Sequence, residues 1–342
     1  MSKSARLATA ILSIAVALGL ATAIWGLVDS RRPNQPSGPP ERLTIAVVKS
    51  YVGSGLVMVA AANGYFRDAG LDVTLQPHPS GKATLEAVFA GKADLATASD
   101  TPLMFAIVSG RPLLIVATIA SGITDHGIVA RKDRGIAIPG DLRDKRLGVT
   151  FGTSAHFFLD VARSFYRLPS APVGALIDLQ PEALEAALLA GEVDAISTWS
   201  PILDRAARDL GDNAIRFPGK DLFQYTFNLA GSATYVRANE ETMKKLVRAL
   251  DRADRFVATH RAEARAIVEQ ATGAGYGPND KRWDDYDLRL TLAQRLLIML
   301  EDEARWAIKQ RFVQKAELPN FLGFIYLDAM AAVKPEALTI IH

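Results

Sequence analysis

Between residues 48 and 201 the chain repeats itself, and this repeat limits the folds open to it more than any other feature. Ala90-Gly91-Lys92-Ala93-Asp94, a short strand and then Asp100-Thr101-Pro102 return as Ala190-Gly191-Glu192-Val193-Asp194, a strand and Trp199-Ser200-Pro201. Earlier, Val48-Lys49-Ser50-Tyr51-Val52-Gly53-Ser54, running into a helix, returns as Val149-Thr150-Phe151-Gly152-Thr153-Ser154. Both pairs are offset by about a hundred residues, and two separate turns recurring in one order mark a duplication. Two α/β lobes with matching strand-to-helix turns imply a cleft between them, because ligands of open α/β sheets bind beyond the carboxyl ends of the strands.

The pattern around the repeat supports α/β lobes. From Leu43, β-branched runs alternate with helical ones: strands over 43–48, 71–76, 94–97 and 113–119, helices over 55–67, 82–90 and 102–109. This is the rhythm of a mostly parallel sheet with helices on both faces. It breaks near Asp125 to Arg134, where His126 to Ala130 reads as a strand, and then restarts. Strands follow over 146–151, 175–179 and 193–198, with helices over 154–166, 182–189 and 201–209. After a strand-like run over 227–236 the remainder reads as helices over 240–269, 292–313 and 321–332.

At 342 residues and 49% hydrophobic, the chain is long enough to bury the core of one large or two medium domains. A net charge of +2 is too balanced for a nucleic-acid or anionic-membrane surface, so any charge selectivity is local. Cysteine is absent, which removes disulfides, thiolate metal sites, thiol nucleophiles and a lipid-anchoring Cys.

The N-terminus points to export. Lys3 and Arg6 precede an uncharged stretch from Leu7 to Val28, long enough to span a bilayer. Residues 1–28 therefore read as a signal peptide, with a small-x-small cleavage site at Ala21-Thr22-Ala23, or as an uncleaved anchor. Residues 29–41 form a Pro-rich linker. Either way the folded body is expected outside the cytoplasm, periplasmic and held to the inner membrane if residues 7–28 remain.

Enzyme motifs are missing. The chain has no His-Glu-x-x-His, Gly-x-Ser-x-Gly, Walker loop or dinucleotide fingerprint, and its five histidines are scattered. No metal or cofactor is expected. The acidic runs Trp283-Asp284-Asp285-Tyr286-Asp287 and Glu301-Asp302-Glu303 read as solvent-facing edges of amphipathic helices. Trp306 and Leu296-Leu297-Ile298-Met299-Leu300 read as helix packing.

Taken together, Leu85 to Asp94, Ser99-Asp100-Thr101-Pro102, Pro139 to Val149 and Gly152-Thr153-Ser154-Ala155-His156 resemble the nitrate/sulfonate/taurine-type family of ABC-importer substrate-binding proteins, which also includes pyrimidine-precursor binders. The resemblance covers about residues 42–342. It implies a type II periplasmic-binding-protein fold whose first lobe joins 42–127 with 232–342 and whose second lobe is 128–231. It also implies a monomer that carries a small organic anion or zwitterion to ABC permease subunits. An enzyme on the same fold, or an anchored solute sensor, are the alternatives. Against the sensor, the chain ends at His342 without an output domain.

Unpaired N–H groups and partial positive charge make helix N-termini anion sites. Four turns carry small polar residues at such ends: Ser54, Thr101, Ser154 and Ser200, with Ser50, Ser99 and Thr153 beside them. Gly53, Gly55 and Gly152 would let a ligand approach the backbone. Thr101-Pro102 and Ser200-Pro201 also read as N-caps followed by proline at the first helical position. Lys49 offers a point charge at a position like the family's, and Tyr51 a cover for the ligand or a seal on the core. Asp100 either pairs with a ligand ammonium or caps its helix. Trp199 offers an apolar wall and one donor; the family often has an acidic residue after it, and this chain has Ser200. His156, placed as in sulfonate-type relatives, is expected neutral at its helix start. Phe223-Gln224-Tyr225 precedes the return crossing and is a further candidate for the cleft lining.

Overall fold

The computed structural model describes residues 38–122, 125–168, 176–220, 222–273, 283–284, 286–314 and 317–341. The apolar run over 7–28, its candidate cleavage site and most of the Pro-rich linker lie outside the described residues. Among the described residues, no helix is long and apolar enough to cross a membrane.

From the N-terminal side the chain forms β1 (Glu41–Val48), α1 (Gly55–Ala62), α2 (Tyr65–Asp68), β2 (Leu71–His78), α3 (Gly81–Phe89), β3 (Leu95–Ser99), α4 (Asp100–Val108) and β4 (Leu113–Gly122). After the first crossing come β5 (His126–Arg131), β6 (Leu147–Val149), α5 (Ser154–Phe165), β7 (Leu176–Asp178), α6 (Pro181–Ala190), β8 (Ala195–Trp199), α7 (Ile202–Leu210) and β9 (Ala214–Pro218). The return crossing leads to β10 (Tyr225–Ser232), α8 (Ala233–Ala238), α9 (Glu240–Thr259), α10 (Arg261–Thr272), β11 (Tyr286–Asp287), α11 (Gln294–Lys309) and α12 (Asp328–Val333).

These strands make two sheets, ordered β11-β4-β10-β3-β1-β2 and β7-β6-β8-β5-β9. The runs β2-β1-β3 and β7-β6-β8 are equivalent: each is parallel and each centres on the strand that opens its copy of the repeat. Most strands of each sheet run in one direction, as expected, while β10 and β5 run antiparallel to both their neighbours. Each is the strand that follows a crossing, so it enters its sheet from the opposite end. Every lobe thus contains one strand inserted from the far side.

The Ala-Gly-x-x-Asp repeat is a structural clip. In the first lobe Gly91 takes φ +68° after α3, the Lys92 N–H reaches back to the Ala87 carbonyl at 2.8 Å, and Asp94 exchanges bonds with Thr44. The second copy does the same with Gly191 at φ +72°, Glu192 to Ala187 at 2.9 Å, and Asp194 with Arg146. A left-handed residue that ends a helix favours glycine, and the aspartate ties the start of the next strand to the strand beside it. The motif therefore specifies a helix-to-strand turn.

Several expected elements are cut or moved. The helix expected over 55–67 divides at Gly64, which takes φ +72°. The one over 240–269 divides at His260, whose extended φ of −124° separates α9 from α10. The strand expected over 227–236 starts at Tyr225 and stops at Ser232, whose hydroxyl accepts the Tyr235 N–H and starts α8. β9, an edge strand paired with β5, was not expected from its mixed polarity.

Both lobes bury β-sheet cores, and α9 packs over α1 while α11 packs against α4. A smaller apolar cluster, including Leu184, Leu188, Ile196 and Leu203, lies under α6 and α7. In α11, Glu301 and Asp302 pair with Arg305 at the surface, whereas Glu303 is fully buried. That corrects the solvent-facing reading of this acidic run: helical spacing turns Glu303 onto the face that packs against α4.

Candidate functional site

The first strands of both repeats end at turns that face each other across the lobes. Between them lies a cavity of about 20 Å³, room for about one water, lined by residues of both lobes and of the crossings. Three helix N-termini meet there: Gly81 of α3, Ser99 before α4, and Thr153 with Ser154 at α5. Neither Ser99 nor Thr153 caps its helix through its side chain. A helix's first-turn N–H groups lack intrahelical partners and can serve a bound group, although here Ala83 already donates to Ser80 and Thr101 to Asp100. Tyr51, Trp199 and Phe227 complete the walls.

Behind the cavity a hydrogen-bond chain joins the lobes. The Asp125 carboxylate, on the first crossing, accepts the hydroxyls of Tyr51 at 2.8 Å, Tyr225 at 2.9 Å and Tyr286 at 3.4 Å. Burial, followed by the neighbouring Asp125 charge, pushes the Tyr51 and Tyr225 hydroxyls well above the ordinary tyrosine range, so they stay donors. The other Asp125 oxygen is 2.8 Å from His126 Nδ1, and His126 Nε2 is 2.8 Å from Ser154 Oγ. Because the carboxylate is the acceptor throughout, Nδ1 carries hydrogen. In the neutral ring Nε2 then accepts from the Ser154 hydroxyl. Phe223 packs edge-on to His126 at 5.1 Å, which brings the return crossing into the same cluster.

The structure sorts the residues singled out in the sequence into four groups. Tyr51, Ser99, Thr153, Ser154 and Trp199 line the inner cavity. Gly152, at φ +76°, and His156 line a larger chamber on one side of it, of about 450 Å³. Lys49 and Ser50 line a separate groove on the other side, opposite Glu182 and Arg205.

Ser54, Asp100, Thr101 and Ser200 do not line the inner cavity, and each has a polar group bonded within the protein. Ser54 Oγ lies 3.4 Å from the Val48 carbonyl and 3.3 Å from Thr97 Oγ1. Ser200 donates its N–H to the Asp125 carbonyl at 2.9 Å. Asp100 is fully buried and accepts the Thr226 N–H at 2.8 Å, while the Thr101 hydroxyl donates to Glu303. Burial pushes the Asp100 carboxyl up to about 6 against its bonds from Thr226 and Thr101. Burial and the adjacent Asp100 charge drive Glu303 well above the carboxylate range.

The capping expectation is corrected too: α4 begins at Asp100 with Ser99 before it, and the residue preceding α7 is Pro201. Gly53 and Gly55 approach protein rather than open space. A Cβ on Gly53 would strike the Tyr51 ring, and one on Gly55 would lie 2.8 Å from Leu288.

His156 stacks on Phe151 with ring centroids 4.6 Å apart and meets Trp306 edge-on at 5.1 Å. Burial lowers its imidazole to about 4, with Asp178 opposing, so the ring is neutral for a reason stronger than its helix start. The Gly152 N–H points to its Nδ1 at 3.4 Å.

Sequence reasoning missed Gly81, Asp125, His126 and Phe227. The start of α3 had a signal, since Ser80-Gly81 precedes a helix and the Ser80 hydroxyl accepts the Ala83 N–H. Asp125-His126 stood at the break in the α/β rhythm, which is where a crossing had to be.

A family model described as NMT1/THI5 like matches residues 54–264, more than half of the chain. The chain belongs to the NMT1/THI5-like family. Among curated relatives, this family member is 25% identical over 149 residues to the taurine-binding periplasmic protein of Escherichia coli (strain K12), covering 44% of this chain and 46% of that one. It is 27% identical over 151 residues to a putative aliphatic sulfonates-binding protein of Bacillus subtilis (strain 168), covering 43% and 45%. The matched stretches thus span about half the length of these relatives. The alkanesulfonate-binding protein SsuA of Xanthomonas axonopodis pv. citri, solved bound to MOPS, superposes with a TM-score of 0.72 at 22% identity, over 85% of this chain and 99% of that one. The NMT1/THI5-like chain has the periplasmic-binding-protein fold, with two α/β lobes and a cleft between them.

Proposed function

We propose that this chain is the solute-binding component of an ABC importer, which closes its lobes on a small organic anion or zwitterion of the sulfonate, taurine or nitrate class outside the cytoplasm. The observation that carries this reading is the convergence of three helix N-termini from two lobes on one interlobe cavity. Free N–H groups and aligned dipoles hold an oxyanion without a cationic side chain. The names of the taurine- and sulfonate-binding relatives agree with that chemistry. Working partners would be permease subunits, with the chain acting as a monomer. Residues 7–28 would serve as a removed signal or a tether.

The test is calorimetry of the full chain against methanesulfonate, taurine, nitrate and small carboxylates. Stoichiometric binding of an unchanged solute is expected, and Ser154→Leu should weaken it at least about tenfold, roughly 1.4 kcal/mol. Absence of binding by these anions and by larger sulfonates alike, or unaltered affinity in Ser154→Leu, would defeat the reading.

A second reading has one observation in its favour. Ser154, His126 and Asp125 form a hydrogen-bonded series with both links at 2.8 Å, the order found in an activated serine, beside unpaired N–H groups of α5. An acyl-transfer activity would show as product from an activated ester such as p-nitrophenyl acetate that disappears in Ser154→Ala. No such product, or product that persists in Ser154→Ala, would leave only the binder.

A further inference from the structure

The inner cavity and the chamber beside it differ too much in size and chemistry to serve one purpose. At about 20 Å³ the inner cavity has no room for a ligand's tail, whereas the chamber offers about 450 Å³. They share walls at three points: Gly81 faces the cavity and Lys82 the chamber, Pro102 borders both, and Gly152 faces the chamber where Thr153 faces the cavity. A head seated on the helix N-termini therefore has its next atoms directed at the chamber or at the groove near Lys49.

The chamber's chemistry selects between tails. Phe89, Phe105, Phe151 and Phe312 line it from both lobes, and Phe312 remains 45% exposed at its edge. Its one carboxylate, Glu86, is held by Arg111 at 3.2 Å. Around the head, Asp125 is occupied by three tyrosines and His126, and Asp100 by Thr226, so neither of these carboxylates waits for a ligand ammonium. Lys82 reaches across the cleft to the Phe151 carbonyl at 3.4 Å, which adds positive charge where cavity and chamber meet. Aromatic walls of this kind gain most from a flat apolar group, through burial and edge or face contacts.

We infer that the chamber is the subsite for the ligand's tail and that the ligand is a sulfonate carrying an aromatic or bulky apolar group, rather than a short aminosulfonate. This rests on the anion-head reading of the inner cavity.

The experiment titrates the full chain with naphthalene-2-sulfonate, methanesulfonate and taurine, in the natural chain and in Phe312→Ala and Ala106→Trp. Naphthalene-2-sulfonate should bind at least about tenfold more tightly than either small sulfonate. Phe312→Ala, which trims a half-exposed ring, and Ala106→Trp, which fills the chamber, should each remove most of that advantage while leaving methanesulfonate affinity within about twofold. Binding of methanesulfonate or taurine as tight as that of naphthalene-2-sulfonate would overturn the tail subsite and leave the anion reading standing. So would an aromatic advantage that both variants keep. Failure of all three sulfonates to bind would overturn both.

Discussion

The two lobes carry the same clip and opposite interiors. In each, a left-handed glycine ends a helix, and an aspartate seven or eight residues before a proline ties one strand to the next. Downstream of the clips the likeness stops. β3 runs into a helix whose first residue, Asp100, is sealed against Glu303 and Thr226, whereas β8 ends on Trp199, which looks into the cleft. The duplicated clips build the scaffold, and the two copies differ in what the strand after each clip presents to the cavity.

The divergence should be sharpest in acid. His156, in the second lobe, has its proton affinity lowered to about 4, so the folded chain resists protonation that the unfolded chain accepts. Its contribution is fully present above about pH 6.5 and is lost as pH falls towards 4, on the order of 3 kcal/mol. His156→Phe should flatten that acid limb in urea titrations; an unchanged limb would mean the ring is not sealed.

Asp100, in the first lobe, should slope the other way. Its folded carboxyl is raised above the ordinary value, so the stability it contributes is present below 3.8 and lost as pH rises through about 6. Asp100→Asn should therefore be more stable relative to the natural chain at neutral pH than at pH 4, by the same titrations. The reverse ordering would contradict the buried acid pair.

The clips, in contrast, should respond alike. Asp94→Ala and Asp194→Ala each remove a carboxylate that accepts a backbone N–H, at 2.7 and 2.9 Å, and should each cost about 2 kcal/mol. Burial raises the Asp194 carboxyl, but bonds and charge from Arg146, with Arg134, outweigh it and leave it below the usual range. A loss confined to one lobe would show that the clips are not equivalent.

The smallest effect separates the glycines. Gly91→Ala and Gly191→Ala both place a side chain at positive φ, for about 1 kcal/mol. Gly191→Ala should cost slightly more, because its Cβ would fall 2.7 Å from the Arg134 guanidinium and displace that flexible side chain, whereas Gly91 faces open space. Thermal unfolding of the pair decides this.

Helix and strand order was legible because local periodicity and turn chemistry carry it. The breaks at Gly64 and His260 were not, since helical patterning runs through both. In the candidate site, Ser154 and Trp199 were found because they sit at repeated turns. His126 was passed over as an isolated histidine, since its partners Ser154, Phe223 and Tyr225 come from distant parts of the chain. Asp100 looked like a cleft residue for the converse reason: its neighbour Thr101 bonds Glu303, 202 positions on, and Glu303 stands on a helix that reads as solvent-facing.

By itself the sequence determined the duplicated α/β architecture and the helix-to-strand turns, because those bonds close within a few residues and depend on which side chains stand there. Only the tertiary structure decided which residues of the duplicated turns face the interlobe cavity. That choice depends on the two crossings, on the strands they insert into each sheet, and on α11, whose buried face closes over Asp100 and Thr101 and takes them out of the site.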